Sequence, residues 1–161
     1  MGRYYSGDIS GKFWFAVQDS TDASHFGKEY EEVYTYYVCG CEFDGEEYCT
    51  GCYGSIEEHT QAMLEEEDED TRTWHISNSV IKYSFGESDI HTVSEEVTAL
   101  ESDVGHHIDE YGIDDETMEY VCSFKQECTE EEVERIARLC LGRQILYCLK
   151  KTGSCAFSAE L

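Results

Sequence analysis

The chain has 161 residues and a strongly acidic composition: 36 Asp and Glu against 11 Lys and Arg give a formal net charge of -25. Such a charge opposes attraction to a phosphate backbone or an anionic bilayer, so it excludes direct nucleic-acid binding and membrane-surface binding. Twelve Tyr, seven Phe and two Trp supply enough apolar area for a folded core in spite of the charge. The length predicts a single domain over residues 1–161.

The first half of the chain contains three patterns typical of strands. Residues 12–18 (KFWFAVQ) predict a strand after a turn at residues 6–8, and residues 33–39 (VYTYYVC) predict a second strand. Residues 73–85 alternate with period two but change phase near their middle. That change predicts a bulge, or two strands joined by a turn.

Three helices are predicted from their caps and their apolar spacing. Ser55 and Glu58 have capping-box spacing and open the first helix, which we expect to end at a run of acids. The second has apolar residues at steps of 3 and 4, with Gly105 as its C-terminal glycine. Thr129 and Glu132 open the third, which runs to about residue 151. The apolar positions of the second helix are Ile90, Val93, Val97, Leu100 and Val104.

The remaining elements complete an α+β order. Residues 118–124 alternate as a strand, and Gly153 ends the third helix before a last short strand with Cys155, Phe157 and Ala159. The order β-β-α-β-α-β-α-β favours a mainly antiparallel sheet with about three helices packed on one side. The core is predicted to contain Trp14, Val97, Leu100, Ile136 and Cys140.

The cysteines predict an intracellular protein with reduced thiols. Nine Cys cannot all pair, residues 1–10 lack the apolar segment of a signal peptide, and no window approaches 18 apolar residues. Five of the cysteines are predicted to fall mostly on buried faces, where the thiol behaves as a small hydrophobic group. These are Cys122, Cys128, Cys140, Cys148 and Cys155.

A Cys-rich loop over residues 39–52, inserted within the domain, is the candidate metal site. Cys39, Cys41, Cys49 and Cys52 place four thiols within fourteen residues, and the Cys-x-x-Cys pair has the turn that zinc knuckles use. A structural zinc ion is the cofactor that this spacing suggests, with His59 as an alternative fourth ligand. The alternative is four reduced cysteines without metal, and disulfides are less expected in this compartment.

Two adjacent histidines form a weaker candidate for a divalent metal. His106 and His107 follow the second helix and precede Asp109 and Glu110. A solvated loop is the alternative, because adjacent residues rarely bind the same ion. No Walker A, G-x-G-x-x-G, G-x-S-x-G or H-E-x-x-H motif occurs, so we expect no enzyme, although an enzyme of unrecognised type stays an alternative.

The charge distribution predicts an interaction surface. Between Lys28 and Arg72 there are fifteen Asp or Glu and no Lys or Arg. This segment suggests that the protein docks a basic protein partner, in its most specific form as a nucleic-acid mimic, since DNA carries one charge per about 1.7 Å of axis. The alternatives are a solvated acidic face and a small zinc-binding module. The predicted contact residues are Glu65, Glu66, Glu67, Asp68, Glu69 and Asp70.

Two blocks at opposite ends of the sequence are similar to a known group of proteins. The opening GRYYSGDISGKFWFAVQDSTDASHFG and the closing ARLCLGRQILYCLKKTGSCAFSAEL resemble small uncharacterised proteins of large DNA viruses of algae and protists, of phycodnavirus or mimivirus type. The blocks cover about a third of the chain and consist of aromatic, glycine and amphipathic-helix residues. The resemblance implies a place in the host cytoplasm or in a virion, and it carries no activity or ligand.

Overall fold

The computed structural model describes residues 3–14, 17–32, 35–36, 50–65, 76–77 and 80–161. The chain forms two compact units, the first from Met1–Glu31 with Val80–Leu161 and the second from Glu32–Ser79. The Cys-rich loop predicted at 39–52 belongs to the second unit. One domain over 1–161 with that loop inserted stays a prediction.

The described residues form nine strands and three α-helices, with a 3₁₀ helix at Asp22–Phe26 and 3₁₀ turns at Glu87–Asp89 and Gly105–His107. In chain order they are β1 (Tyr4–Gly7), β2 (Gly11–Lys12), β3 (Glu31–Glu32), β4 (Thr35–Tyr36), α1 (Ile56–Glu65), β5 (Ile76–Ser77), β6 (Val80–Gly86), α2 (Ile90–Val104), β7 (Ile108–Ile113), β8 (Tyr120–Phe124), α3 (Glu130–Thr152) and β9 (Ser154–Glu160).

An antiparallel sheet forms one layer of the first unit. Its strand order is β2-β1-β9-β6, continued at the edge by β3. The last strand in the sequence therefore lies between two others, with Tyr5 and Ile81 both opposite Ala159. Side chains alternate across β9, so that Cys155, Phe157 and Ala159 are buried on one face, as predicted.

The buried face of this sheet forms one core with α2 and α3, which confirms the α+β prediction with an antiparallel sheet. Val97, Ile136 and Cys140 lie in the core, whereas Trp14 and Leu100 are only partly buried and pack against it. The two end blocks of the sequence meet here. The Tyr5 hydroxyl donates to Gln144 Oε1 at 2.9 Å, and Gln18 Nε2 donates to the Ala137 carbonyl at 3.3 Å.

The caps of α3 are those that the sequence predicts. Thr129 Oγ1 accepts from the Glu132 amide at 3.2 Å, and Glu132 Oε2 accepts from the Thr129 amide at 2.8 Å. Gly153 follows the helix with φ 83°, a left-handed conformation that glycine adopts without strain. Helix α2 also ends at the predicted glycine, but Gly105 has φ -58° instead of a left-handed conformation and begins a 3₁₀ turn.

Three local predictions differ from the structure of the first unit. Among the described residues of the strand predicted at 12–18, which leave out 15 and 16, only Lys12 is in a strand. The Gln18 amide instead donates to the Trp14 carbonyl in a turn. The first two residues of the turn predicted at 6–8 belong instead to strand β1. Gly7 lies so close to β9 that a Cβ at this position would be 2.5 Å from the Ala156 carbonyl oxygen. The solvated loop considered for His106 and His107 is a 3₁₀ turn, and it leads directly into strand β7, which pairs antiparallel with β8.

In its described residues, the second unit contains a two-stranded antiparallel sheet and one helix. Strands β4 and β5 pair with Thr35 opposite Ser77, which confirms a strand at 35–36 within the predicted 33–39. Helix α1 begins beside Ser55, whose Oγ accepts from the Glu58 amide at 3.3 Å. The Glu58 carboxylate binds the Gly54 amide, so this capping box is only half formed.

Residues 73–85 contain two separate strands, β5 and β6, which belong to different sheets. The phase change itself, near residues 78–79, lies outside the described residues. Among the helices that the structure describes, none combines the length and the apolar character needed to cross a membrane.

Candidate functional site

The residues predicted to bind a partner or zinc lie mostly outside the described residues. This applies to Cys39, Cys41, Cys49 and the segment 66–70. Cys52 is exposed, and Glu65 is the exposed last residue of α1. His59, the alternative fourth ligand, is buried with its ring centroid 5.2 Å from that of Tyr53. Both predicted sites therefore stay predictions.

Half of the ten Lys and Arg side chains of the first unit form ion pairs with carboxylates of the same unit. In the parts of the chain that the structure describes, five Lys or Arg form such ion pairs, at distances of 2.6 to 3.1 Å. The least exposed of these side chains, Arg138, bonds both Asp22 and Glu134. The five pairs are Lys28–Asp89, Arg135–Asp103, Arg138–Asp22, Arg143–Glu101 and Lys151–Asp115.

Exposed carboxylates gather where the β7–β8 hairpin meets the start of α3. Burial raises the pKa of the Cys128 thiol, and the nearby Glu132, Glu127 and Asp109 carboxylates raise it further, while Lys125 opposes them. Several carboxylates thus raise the pKa of the Cys128 thiol, and Lys125 is the one described lysine that lowers it. The exposed carboxylates at this junction are Asp109 and Glu110 on β7, Glu127 in the loop before α3, and Glu130 and Glu131 in the first turn of α3.

His107 points into this junction and meets two residues distant in the sequence. One imidazole nitrogen of His107, Cys128 Sγ and a carboxylate oxygen of Glu132 all lie within 4.8 Å of one another. His107 Nε2 is 3.4 Å from Glu132 Oε1, and the buried Nδ1 has no hydrogen-bond partner among the described residues. The sequence had suggested Asp109 and Glu110 as the partners of the histidine pair, but both are exposed on β7.

Sequence reasoning identified His107 and the capping role of Glu132, but it missed their proximity to Cys128. Cys128 was expected to lie on a buried face, and it is only partly buried. The available signal was its place directly before the Thr129 cap, because a residue there lies beside the third residue of the helix.

An aromatic cleft of about 740 Å³ opens on the first unit between β1, β2 and β8. Trp14 and Phe124 stack in its wall, with ring centroids 5.3 Å apart and planes inclined by 18°. Tyr4, Tyr120, Lys12 and Cys122 also line it. Its volume lies in the range of small-ligand pockets, which are typically 300–1,000 Å³.

Cys122 has an environment unlike those of Cys128, Cys140 and Cys155. A hydrogen bond from the Cys140 thiol lowers the pKa of Cys122, and the Arg143 guanidinium lowers it further, against the effect of burial. The same contact with Cys122, together with burial, raises the pKa of Cys140. Burial likewise raises the pKa of Cys155. The thiol in the cleft wall is therefore more acidic than its buried neighbours.

No protein-family model, no curated protein sequence and no solved structure matches this chain.

Proposed function

We propose that this is a non-enzymatic, acidic interaction protein that docks a basic protein partner, most specifically as a mimic of nucleic acid. The observation that supports it is the internal pairing of the first unit's cations. Arg143, Arg138 and Lys151, for example, already bond carboxylates of their own unit. The charged side chains of the first unit that remain exposed to solvent are mostly carboxylates.

The second unit strengthens the charge imbalance. It carries thirteen Asp or Glu and one basic residue, Arg72. Its helix α1 presents Glu57, Glu58 and Glu65 as exposed residues. The acidic run at 66–70 continues directly from that helix in the sequence, and we assign the partner contact to Glu65–Asp70.

Such a surface acts through long-range attraction. An acidic field concentrates a basic partner and raises its association rate by about 10- to 1,000-fold, an effect that falls steeply with ionic strength. In an infected cell, which the viral resemblance implies, the partner would be a nuclease or nucleic-acid sensor whose cleft normally holds a phosphate backbone. An intracellular location agrees with reduced cysteines.

The test begins with affinity capture from an infected or candidate host lysate at low and high salt. A basic nucleic-acid-binding protein that elutes with salt is the expected partner. Purified, it should release bound duplex DNA when the acidic protein is added. A captured partner that keeps its DNA contradicts mimicry, and the absence of any salt-sensitive basic partner contradicts the docking function.

The contact residues are tested by substituting Glu65, Glu66, Glu67, Asp68, Glu69 and Asp70 with Gln or Asn. The association rate with the captured partner should fall and its salt dependence should flatten, because six charges are removed at nearly constant size. A charge-matched control exchanges six exposed glutamates of the first unit for Gln: Glu87, Glu95, Glu96, Glu110, Glu116 and Glu119. Equal effects in the two variants would show that position is irrelevant and that the run is a solvated face.

A further inference from the structure

We propose that His107, Cys128 and Glu132 bind a divalent transition-metal ion of the zinc class at the junction of the β7–β8 hairpin and α3. The site is separate in the sequence from the cysteines at 39–52. It is also independent of the proposed docking function, because none of the three residues belongs to the acidic run.

The spacing of the ligand atoms fits tetrahedral coordination. With zinc–nitrogen and zinc–oxygen bonds of about 2.0–2.2 Å, a tetrahedral angle separates nitrogen from oxygen by roughly 3.4 Å. His107 Nε2 lies 3.4 Å from Glu132 Oε1. The Cys128 sulfur is within 4.8 Å of both partners' ligand atoms.

The backbone holds the three ligands in place. The Lys125 amide donates to the His107 carbonyl at 3.0 Å, and Lys125 Nζ donates to the His106 carbonyl at 2.9 Å. These bonds fix the turn that carries His107 against the loop that carries Cys128. Glu132 is held by the capping box, which occupies its Oε2 and leaves Oε1 toward His107. A site whose ligands are already oriented loses little entropy on binding.

The chemistry of the cluster favours a cation. The carboxylates of Glu132, Glu127 and Asp109 all act on Cys128, so the field at the cluster is negative and attracts a dication. On binding, the thiol proton leaves to solvent, and the sulfur binds the ion as thiolate.

The ligand set selects the class of metal. Sulfur and imidazole nitrogen favour zinc, cobalt and related ions, whereas magnesium and calcium take oxygen ligands. Three protein ligands leave a fourth position for water or for a group of a bound partner.

The experiment is a titration of the metal-stripped full chain with Co²⁺, followed by displacement with Zn²⁺, in a variant whose loop cysteines 39, 41, 49 and 52 are all serine. One Co²⁺ should bind and give a thiolate-to-cobalt charge-transfer band. In that background Cys128→Ser should abolish the band, and His107→Gln or Glu132→Gln should weaken binding by about tenfold or more. Glu132→Gln keeps a side chain suited to the capping box, so it remains folded for the comparison.

Two control variants change residues next to the cluster that are not proposed as ligands. His106→Gln alters the adjacent histidine, whose ring centroid lies 3.9 Å from that of His107. Glu131→Gln removes an adjacent carboxylate. Both should retain the affinity of the background. The proposal is overturned if the background variant binds no Co²⁺, if the band survives Cys128→Ser, or if His106→Gln and His107→Gln weaken binding equally in folded protein.

Discussion

The Arg143 guanidinium donates two hydrogen bonds to the Glu101 carboxylate, from Nε to Oε1 at 2.6 Å and from a terminal nitrogen to Oε2 at 2.8 Å. The pair joins α3 to α2, and the guanidinium also lies 4.5 Å from the centre of the Tyr111 ring. One side chain thus connects both helices and strand β7.

Arg143→Lys should therefore destabilise the protein more than its conservative character suggests. A lysine cannot make the paired hydrogen bonds or stack flat on Tyr111, and we expect a loss of about 1–2 kcal/mol in the free energy of unfolding. Urea denaturation measures it. The control is Arg135→Lys, since Arg135 contacts Asp103 in a more exposed pair. A loss there of about 0.5 kcal/mol or less is expected, and equal losses would contradict the geometric explanation.

Gly142→Ala should also destabilise, although alanine is the better helix former. A Cβ at this position would clash with the Phe26 ring and would lie 2.9 Å from Val97 Cγ2. Overpacking of about 1–3 kcal/mol should outweigh a helix-propensity gain of about 1 kcal/mol. Thermal unfolding tests this against Gly86→Ala, where nothing lies within 4 Å of the added atom. A Gly142→Ala protein as stable as the parent would show that α3 can move away from Phe26.

Asp22 gives a pH dependence opposite to that of most carboxylates. Burial raises its pKa, and the Arg138 guanidinium only partly offsets this. At pH values between the ordinary and the raised pKa, Asp22 is protonated to a greater extent in the folded state than in the unfolded state. The stability that this group contributes is therefore present at low pH and is lost as the pH rises through the folded-state pKa.

The difference in unfolding free energy between the parent and Asp22→Asn should therefore shift in favour of the parent as pH falls from 7 toward 4. Urea denaturation at several pH values measures it. A shift in the other direction would mean that the charge of Arg138 dominates over burial.

Cys122 should react with iodoacetamide faster than Cys128, Cys140 or Cys155 in the folded protein. Its lowered pKa gives it the larger thiolate fraction near neutral pH. Peptide mass spectrometry after timed labelling measures the order. Cys140→Ala removes the hydrogen-bond donor and should slow labelling at Cys122, whereas Cys140→Ser retains a donor and should slow it less. An unchanged rate in Cys140→Ala would exclude the thiol–thiol contact as the cause.

The features that sequence predicted correctly are those encoded within a few residues. Thr129, Glu132 and Gly153 specify the ends of α3 by local hydrogen bonds and by a left-handed turn, and all three act as predicted. Strand β7 was missed because its register shifts between Ile108 and Glu110, which breaks the alternation that reveals a strand. Strand β1 was missed because Gly7 was interpreted as a turn residue, whereas it permits close approach to β9.

The candidate metal cluster shows the same limit. His107 could be nominated from its sequence, but its partners are set by the hairpin and by the entry to α3. Cys128 and Glu132 follow it by 21 and 25 positions, with no motif of fixed spacing between them. Their proximity is a tertiary property.

The position of β9 has a consequence for the rate of folding. Ala159 pairs on one side with Tyr5 and on the other with Ile81, so both neighbours of this strand are remote along the chain. Closing such large loops has an entropic cost before any strand contact compensates it, and a high contact order slows folding. The capped α3 can form locally and early, so stopped-flow refolding should show helical circular dichroism before the fluorescence of Trp14 reaches its native value. Assembly of the sheet, rather than helix formation, then limits the rate at which this unit becomes native.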